Sequence, residues 1–175
     1  MAVQRRGGVI LEGNPLTVIG LELEPGNKAP DFKLLANDLS EVGLADSAGK
    51  VRLISVVPSL DTEVCDLQTR RFNQEAAAFG DDVVILTVSV DLPYAQARWC
   101  GAAGVASLQT LSDHKEMNFG NAYGTHIKEL RLEQRAVFVV DRNDVIRYVE
   151  YVPEVFSLPP DYEAALDALR QVVAK

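Results

Sequence analysis

Two thiols, Cys65 and Cys100, are the side chains in this sequence best suited to covalent chemistry. A thiolate attacks electrophilic oxygen or sulfur, and a sulfenic acid formed on one cysteine condenses with a second thiol to a disulfide. Cys65 closes the run Pro58-Ser59-Leu60-Asp61-Thr62-Glu63-Val64-Cys65, where a buried strand hands over to a helix. Asp61 and Thr62 are both good N-cap types, and Glu63 follows where negative charge suits the helix dipole. Cys65 therefore belongs in the first turn, where unpaired backbone N–H groups and the positive dipole end favour thiolate over thiol. A shielded thiolate also needs a positive partner, since desolvation alone disfavours the charged form. Arg70, Arg71, Arg131 and Arg135 are the candidates, and sequence alone does not rank them by distance.

A lone cysteine in a cytosolic chain is more often a small buried hydrophobe than a nucleophile. A proline and a capping threonine before a cysteine that opens a helix are hard to explain by packing alone. Cys100 falls near a helix C-terminus, where a structural cysteine is equally natural; its credential is being the one other thiol. A thioredoxin-fold disulfide reductase would want Cys-x-x-Cys at the helix start, and Gln68 stands where the second cysteine would be, which argues against that reading. Cysteines 35 positions apart, with His114 and His126, show none of the close ligand pairs of a zinc site, so no metal is expected. His114, His126 and Trp99 read as packing or surface residues.

The elements that must position Cys65 follow from the apolar pattern. Val9 to Ile19 places two β-prone runs around Gly13-Asn14-Pro15, the signature of a hairpin. Phe32 to Leu35 and Glu41 to Leu44 suggest a second, small hairpin. Val51 to Val57 and Val83 to Val90 are nearly continuous apolar runs, as expected of central strands covered on both faces. Glu63 to Phe79 carries helix formers between them, which implies a crossover and parallel pairing. On that helix Cys65 shares a face with Phe72, Ala76 and Phe79, so its sulfur should point toward the sheet. Further on come a helix near Tyr94 to Ala103, a strand near Leu108 to Leu111 and a helix from about Lys115 to Tyr123. A hairpin of Ala136 to Asp141 with Val145 to Tyr151 follows, and an amphipathic helix over Asp161 to Ala174 closes the chain. A central mixed sheet flanked by helices, preceded by an N-terminal β-hairpin extension, suggests a thioredoxin-like α/β fold.

Length and apolar content match one domain spanning residues 1–175. The net charge of −8 argues against a surface that tracks nucleic-acid phosphates or anionic lipid. No apolar run approaches the roughly 18 residues a membrane span needs, and the N-terminus lacks the apolar stretch of a secretory signal. The expected compartment is the cytoplasm, where a disulfide is more transient than structural.

The pattern P-x-x-x-T-x-x-C, present as Pro58, Thr62 and Cys65, resembles the active-site motif of the peroxiredoxins. The run from Pro58 through Asn73, and the block Ser89 to Ala95 followed by Arg98-Trp99-Cys100, are similar to the bacterial thiol peroxidase subfamily of atypical two-cysteine type. The resemblance spans nearly the whole chain. It implies that Cys65 is the peroxidatic cysteine, Cys100 the resolving cysteine and Arg135 the arginine that reaches the site from a strand. It further implies hydroperoxide as substrate, an intrachain disulfide reduced by thioredoxin, no cofactor and a homodimer. Thr62 would then position thiolate and peroxide, and Pro58 would shape the loop and shelter the sulfur. Glu63 departs from the subfamily's usual proline or small residue and is expected to point outward. Glu133-Gln134 replaces apolar residues at what would be the pocket rim or the dimer contact. A redox sensor or chaperone-like binding protein is the non-enzymatic alternative; a sensor would stop after one equivalent of peroxide.

Overall fold

The computed structural model describes residues 1–175. Its elements are β1 (Gln4–Leu11), β2 (Asn14–Ile19), β3 (Leu34–Leu35), β4 (Glu41–Val42), β5 (Val51–Val56), α1 (Glu63–Ala76), β6 (Val83–Ser89) and α2 (Pro93–Ala103). β7 (Gln109–Ser112), α3 (Asn118–Tyr123), β8 (His126–Ile127), β9 (Leu132–Glu133), β10 (Ala136–Val140), β11 (Ile146–Tyr151) and α4 (Tyr162–Val173) complete the chain. The main sheet has seven strands in the order β11-β10-β5-β6-β7-β3-β4. β5, β6 and β7 run parallel, while β10 pairs antiparallel with β5 and β11.

Strand alternation divides the apolar residues between two faces. Leu53, Ile85, Val137 and Val139 point to one side, where Phe72 of α1 and Ala165, Leu166 and Leu169 of α4 cover them. Ile54, Val56, Leu86, Val88, Phe138 and Val140 point to the other, against Phe119 and Tyr123 of α3. Both layers of β5 and β10 are therefore dry, which is why those strands read as continuous apolar runs. Phe72 is fully buried, and Phe72→Ala would cost about 3–5 kcal/mol as an unfilled cavity under α1. One charge interrupts β5: Arg52 is fully buried, with its guanidinium paired to Asp144 at 2.7 Å and donating to Ser47 Oγ and to the Asp141 and Leu44 carbonyls.

The N-terminal hairpin turns one step earlier than expected. Glu12 and Gly13 both take positive φ (48° and 81°) and make the turn, leaving Pro15 inside β2 opposite Ile10. This agrees with the preference of two-residue hairpin loops for φ > 0 at both positions. The hairpin is also half of something larger: β8 and β9 extend it into a four-stranded sheet, β1-β2-β8-β9. α3 begins at Asn118 rather than near Lys115, because Met117 adopts a left-handed conformation and serves as its N-cap.

Candidate active site

β5 delivers the chain to a loop of buried Val57 and Pro58 followed by Ser59, Leu60 and Asp61. Asp91, just past the end of β6, holds this loop in place. Its carboxylate accepts from Ser59 Oγ at 2.7 Å and from the Leu60 N–H at 2.8 Å, and Ser89 Oγ donates to it at 2.7 Å. Because β5 and β6 are neighbours, the loop that opens α1 is fixed by the end of the adjacent parallel strand.

Thr62 is the N-cap of α1 by backbone conformation, but neither its side chain nor that of Asp61 caps the helix, contrary to the capping roles expected of both. The Thr62 hydroxyl instead lies 2.6 Å from Cys65 Sγ and 3.0 Å from the Ser59 carbonyl. It carries one proton and can serve only one of them at a time. An anionic sulfur accepts the hydroxyl's hydrogen bond; a thiol donates its own to Thr62 Oγ1 and leaves the hydroxyl to donate to the Ser59 carbonyl. Cys65 is in the first turn and fully buried, packed with Val57, Leu60 and the flank of Trp99. The backbone N–H groups of Val64 and Cys65 find no backbone acceptor, so they remain available to an incoming oxygen.

Of the four candidate arginines, the structure brings one to the sulfur. Arg135 sits between β9 and β10, its carbonyl tied to the Val152 N–H at 2.9 Å, and it is fully buried. Its Nη2 is 3.4 Å from Cys65 Sγ and 3.4 Å from the Val155 carbonyl, and its Nη1 donates to Gln68 Oε1 at 2.9 Å. Its Nε is buried and has no acceptor. The others are engaged elsewhere: Arg70 with Asp66, Arg71 with Glu75 and Glu163, Arg131 with the His114 carbonyl.

Gln68, one turn beyond Cys65, is a site residue that the sequence motif marks only as the place where a second cysteine is missing. It is fully buried and bridges Arg135 to Ser55 Oγ, to which its Nε2 donates at 2.7 Å. Ser55, Gln68 and Arg135 thus form a chain from the middle of β5 to the sulfur. A polar side chain three residues after Cys65, on the face that carries Phe72, was the available signal. Asp91 had none, since its role depends on the juxtaposition of two strand ends.

Glu63 is exposed and points away from the sulfur, as expected. Glu133 and Gln134 lie neither at a rim nor on the outside; both are buried within the chain. The Thr125 hydroxyl donates to Glu133, and Gln134 donates to the Val152 carbonyl at 2.9 Å. Burial, then the hydrogen bond and negative charge of Asp113, hold the Glu133 carboxyl well above the usual carboxylate range. Cys100, on α2, is half-buried with its Sγ 3.6 Å from Thr110 Oγ1, and it is not bonded to Cys65.

A mixed sheet flanked by helices, with a buried cysteine in the first turn after a central strand and a guanidinium against its sulfur, defines a thiol-dependent redox protein of thioredoxin-like fold. Residues 24–166 match the Redoxin family model. The chain is 59% identical over 162 residues to a thiol peroxidase of Halalkalibacterium halodurans, covering 93% of this chain and 96% of that protein. A thiol peroxidase of Bacillus subtilis is 53% identical over 165 residues, covering 94% and 98%. Among solved structures, a peroxiredoxin-like protein from Aquifex aeolicus superposes with a TM-score of 0.84 at 34% identity, covering 93% of this chain and 95% of that one. The chain belongs to the Redoxin family and, within it, to the thiol peroxidase subfamily of the peroxiredoxins. It is a peroxiredoxin-type thiol peroxidase.

Proposed function

We propose that Cys65 is the peroxidatic cysteine and Cys100 the resolving cysteine of this peroxidase. The observation that carries the first assignment is the pair of donors facing Cys65 Sγ, the Arg135 guanidinium and the Thr62 hydroxyl, in a first turn with free amides. The thiolate attacks the distal oxygen of ROOH. An S–O bond forms, the O–O bond breaks, and the leaving alkoxide or hydroxide takes a proton to depart as alcohol or water, leaving Cys65 as sulfenic acid. Negative charge moves from sulfur to the leaving oxygen, and the unpaired Nε–H of Arg135 with the Val64 and Cys65 amides supply donors for it. These groups are in place before reaction, so little reorganisation accompanies the charge transfer. Pro58, buried at the start of the loop, keeps water from the sulfur.

Cys100 then attacks the sulfenic sulfur; an S–S bond forms and water leaves. A dithiol, for which thioredoxin is the family's reductant, returns both cysteines to thiols. A reducing compartment such as the cytoplasm suits that cycle, and a homodimer is the expected assembly. No helix is long and apolar enough to cross a membrane. Turnover with hydrogen peroxide and an organic hydroperoxide, coupled to thioredoxin, thioredoxin reductase and NADPH, tests the reading. Many equivalents should be consumed by wild type and none by Cys65→Ser; a halt after one equivalent would make the protein a sensor.

A further inference from the structure

Asp66 follows Cys65 and Trp99 precedes Cys100, and these two neighbours of the thiols are bonded to each other. The Trp99 indole Nε1–H donates to Asp66 Oδ1 at 2.9 Å. The second Asp66 oxygen accepts from Arg70 Nε at 2.8 Å, the Arg70 guanidinium lies 5.6 Å from the Trp99 ring centroid, and its Nη1 reaches the Ala103 carbonyl at 3.3 Å. Three side chains therefore close a ring of contacts that ties α1 to α2 beside the sulfur. Trp99 also packs against the apolar cluster formed by Val57, Leu60 and Cys65.

Successive residues on a helix point about 100° apart. Turning Trp99 toward α1 turns Cys100 away from it, and Cys100 accordingly faces Thr110 and lines a separate cavity of about 360 Å³ with Ala36, Asn37 and Val105. The Cys65 sulfur lies instead against Thr62 and Arg135. The two sulfurs do not face each other while Trp99 is seated, whereas a disulfide requires Cβ atoms that converge and Cα atoms within about 7 Å.

We propose that Asp66, Arg70 and Trp99 form a clasp that gates the resolving step, an inference that rests on the Cys65–Cys100 reaction proposed above. Closed, the clasp keeps Cys65 packed for attack on peroxide. Open, it releases Trp99 and lets α2 present Cys100, whose thiol displaces the sulfenic oxygen as water and forms the S–S bond. While the clasp stays closed, a second hydroperoxide can oxidise the waiting sulfenic acid to sulfinic acid, with the peroxide reduced to alcohol or water. Clasp strength thus sets how turnover divides between disulfide and irreversible oxidation. The three side chains are positioning residues, since none touches the peroxide.

Trp99→Phe keeps an aromatic ring and removes the N–H; Asp66→Asn keeps an acceptor and removes the charge that holds Arg70. Disulfide closure is followed by acid quench and mass analysis, and sulfenic acid formation is measured in a Cys100→Ser background. Closure should accelerate about tenfold in Trp99→Phe, the scale of one hydrogen bond to a charged acceptor, with a smaller rise in Asp66→Asn. The sulfinic fraction at a given peroxide concentration should fall in both, while sulfenic acid formation changes far less. Trp99 is the sole tryptophan, so in wild type its emission should change with the same rate constant as closure. A purely stabilising role would lower the melting temperature without moving the sulfinic fraction. Closure unchanged or slowed in both variants, or disulfide formed with no change in emission, would overturn the clasp alone. Wild type that forms no Cys65–Cys100 disulfide would overturn the resolving assignment and the clasp with it.

Discussion

Arg135 donates to Cys65 Sγ at 3.4 Å across 70 residues of chain, and both groups are fully buried. The contact exists because Arg135 immediately precedes β10, and β10 pairs antiparallel with β5, the strand that leads into α1. Ala136 of β10 is registered opposite Val56, just before the loop that carries the motif. Sheet pairing, not local sequence, brings this cation to the site.

Arg135→Lys should lower kcat/KM for hydroperoxide about a hundredfold, on the scale of about 3 kcal/mol for one preorganised donor. Lysine keeps a charge but not the planar fork that serves Gln68, the sulfur and an incoming oxygen together. Stopped-flow oxidation of Cys65, with melting temperature recorded alongside, separates the loss of chemistry from loss of fold.

Gln68→Met should lower kcat/KM about tenfold through Arg135, although Gln68 does not reach the sulfur by any contact of its own. It would leave Arg135 Nη1 and Ser55 Oγ buried without that partner and destabilise the fold by about 1–3 kcal/mol. The Gln68→Glu variant, which retains an acceptor for Arg135, should recover part of the rate. Equal losses in both variants would assign Gln68 to packing.

The order of strands and helices and the place of Cys65 were legible because long apolar runs and an N-terminal helix signal are local properties. Ranking Arg135 above Arg70, Arg71 and Arg131 was not local, and resemblance rather than residue pattern singled it out. β8 and β9 escaped notice because two-residue strands have no periodicity to read. Yet β9 ends at Glu133 and fixes the segment from which Arg135 enters the core. For Thr62 the residue pattern points to a cap, and only the resemblance assigns its hydroxyl to the thiolate; the choice depends on a side-chain rotation no spacing encodes.

Cys65→Ser should abolish turnover with every hydroperoxide and reductant. Cys100→Ser should still reduce one equivalent of peroxide, form sulfenic acid at Cys65 and then fail to recycle with thioredoxin. Intact mass after one equivalent distinguishes the two, since the second variant gains one oxygen and the first none. Sustained thioredoxin-linked turnover in Cys100→Ser would show that reductant reaches Cys65 directly.

Glu133 makes stability depend on pH in a defined direction. Its carboxyl is buried against Asp113 and held protonated well above 4.5, whereas in the unfolded chain it ionises in the ordinary range. Above that range the folded protein binds one more proton than the unfolded one, so stability falls as pH rises. The contribution is complete below about 4.5 and is lost as pH climbs through the folded pKa. The carboxyl also fits tightly, because a Cβ on Gly120 would lie 2.8 Å from its Oε2. Glu133→Gln can accept from Thr125 and donate to Asp113 without a titrating proton. Urea midpoints between about pH 5 and about pH 8 should therefore decline more steeply for wild type than for Glu133→Gln, with the variant gaining on wild type as the solution becomes more alkaline. Parallel slopes would mean that Glu133 is ionised in the fold.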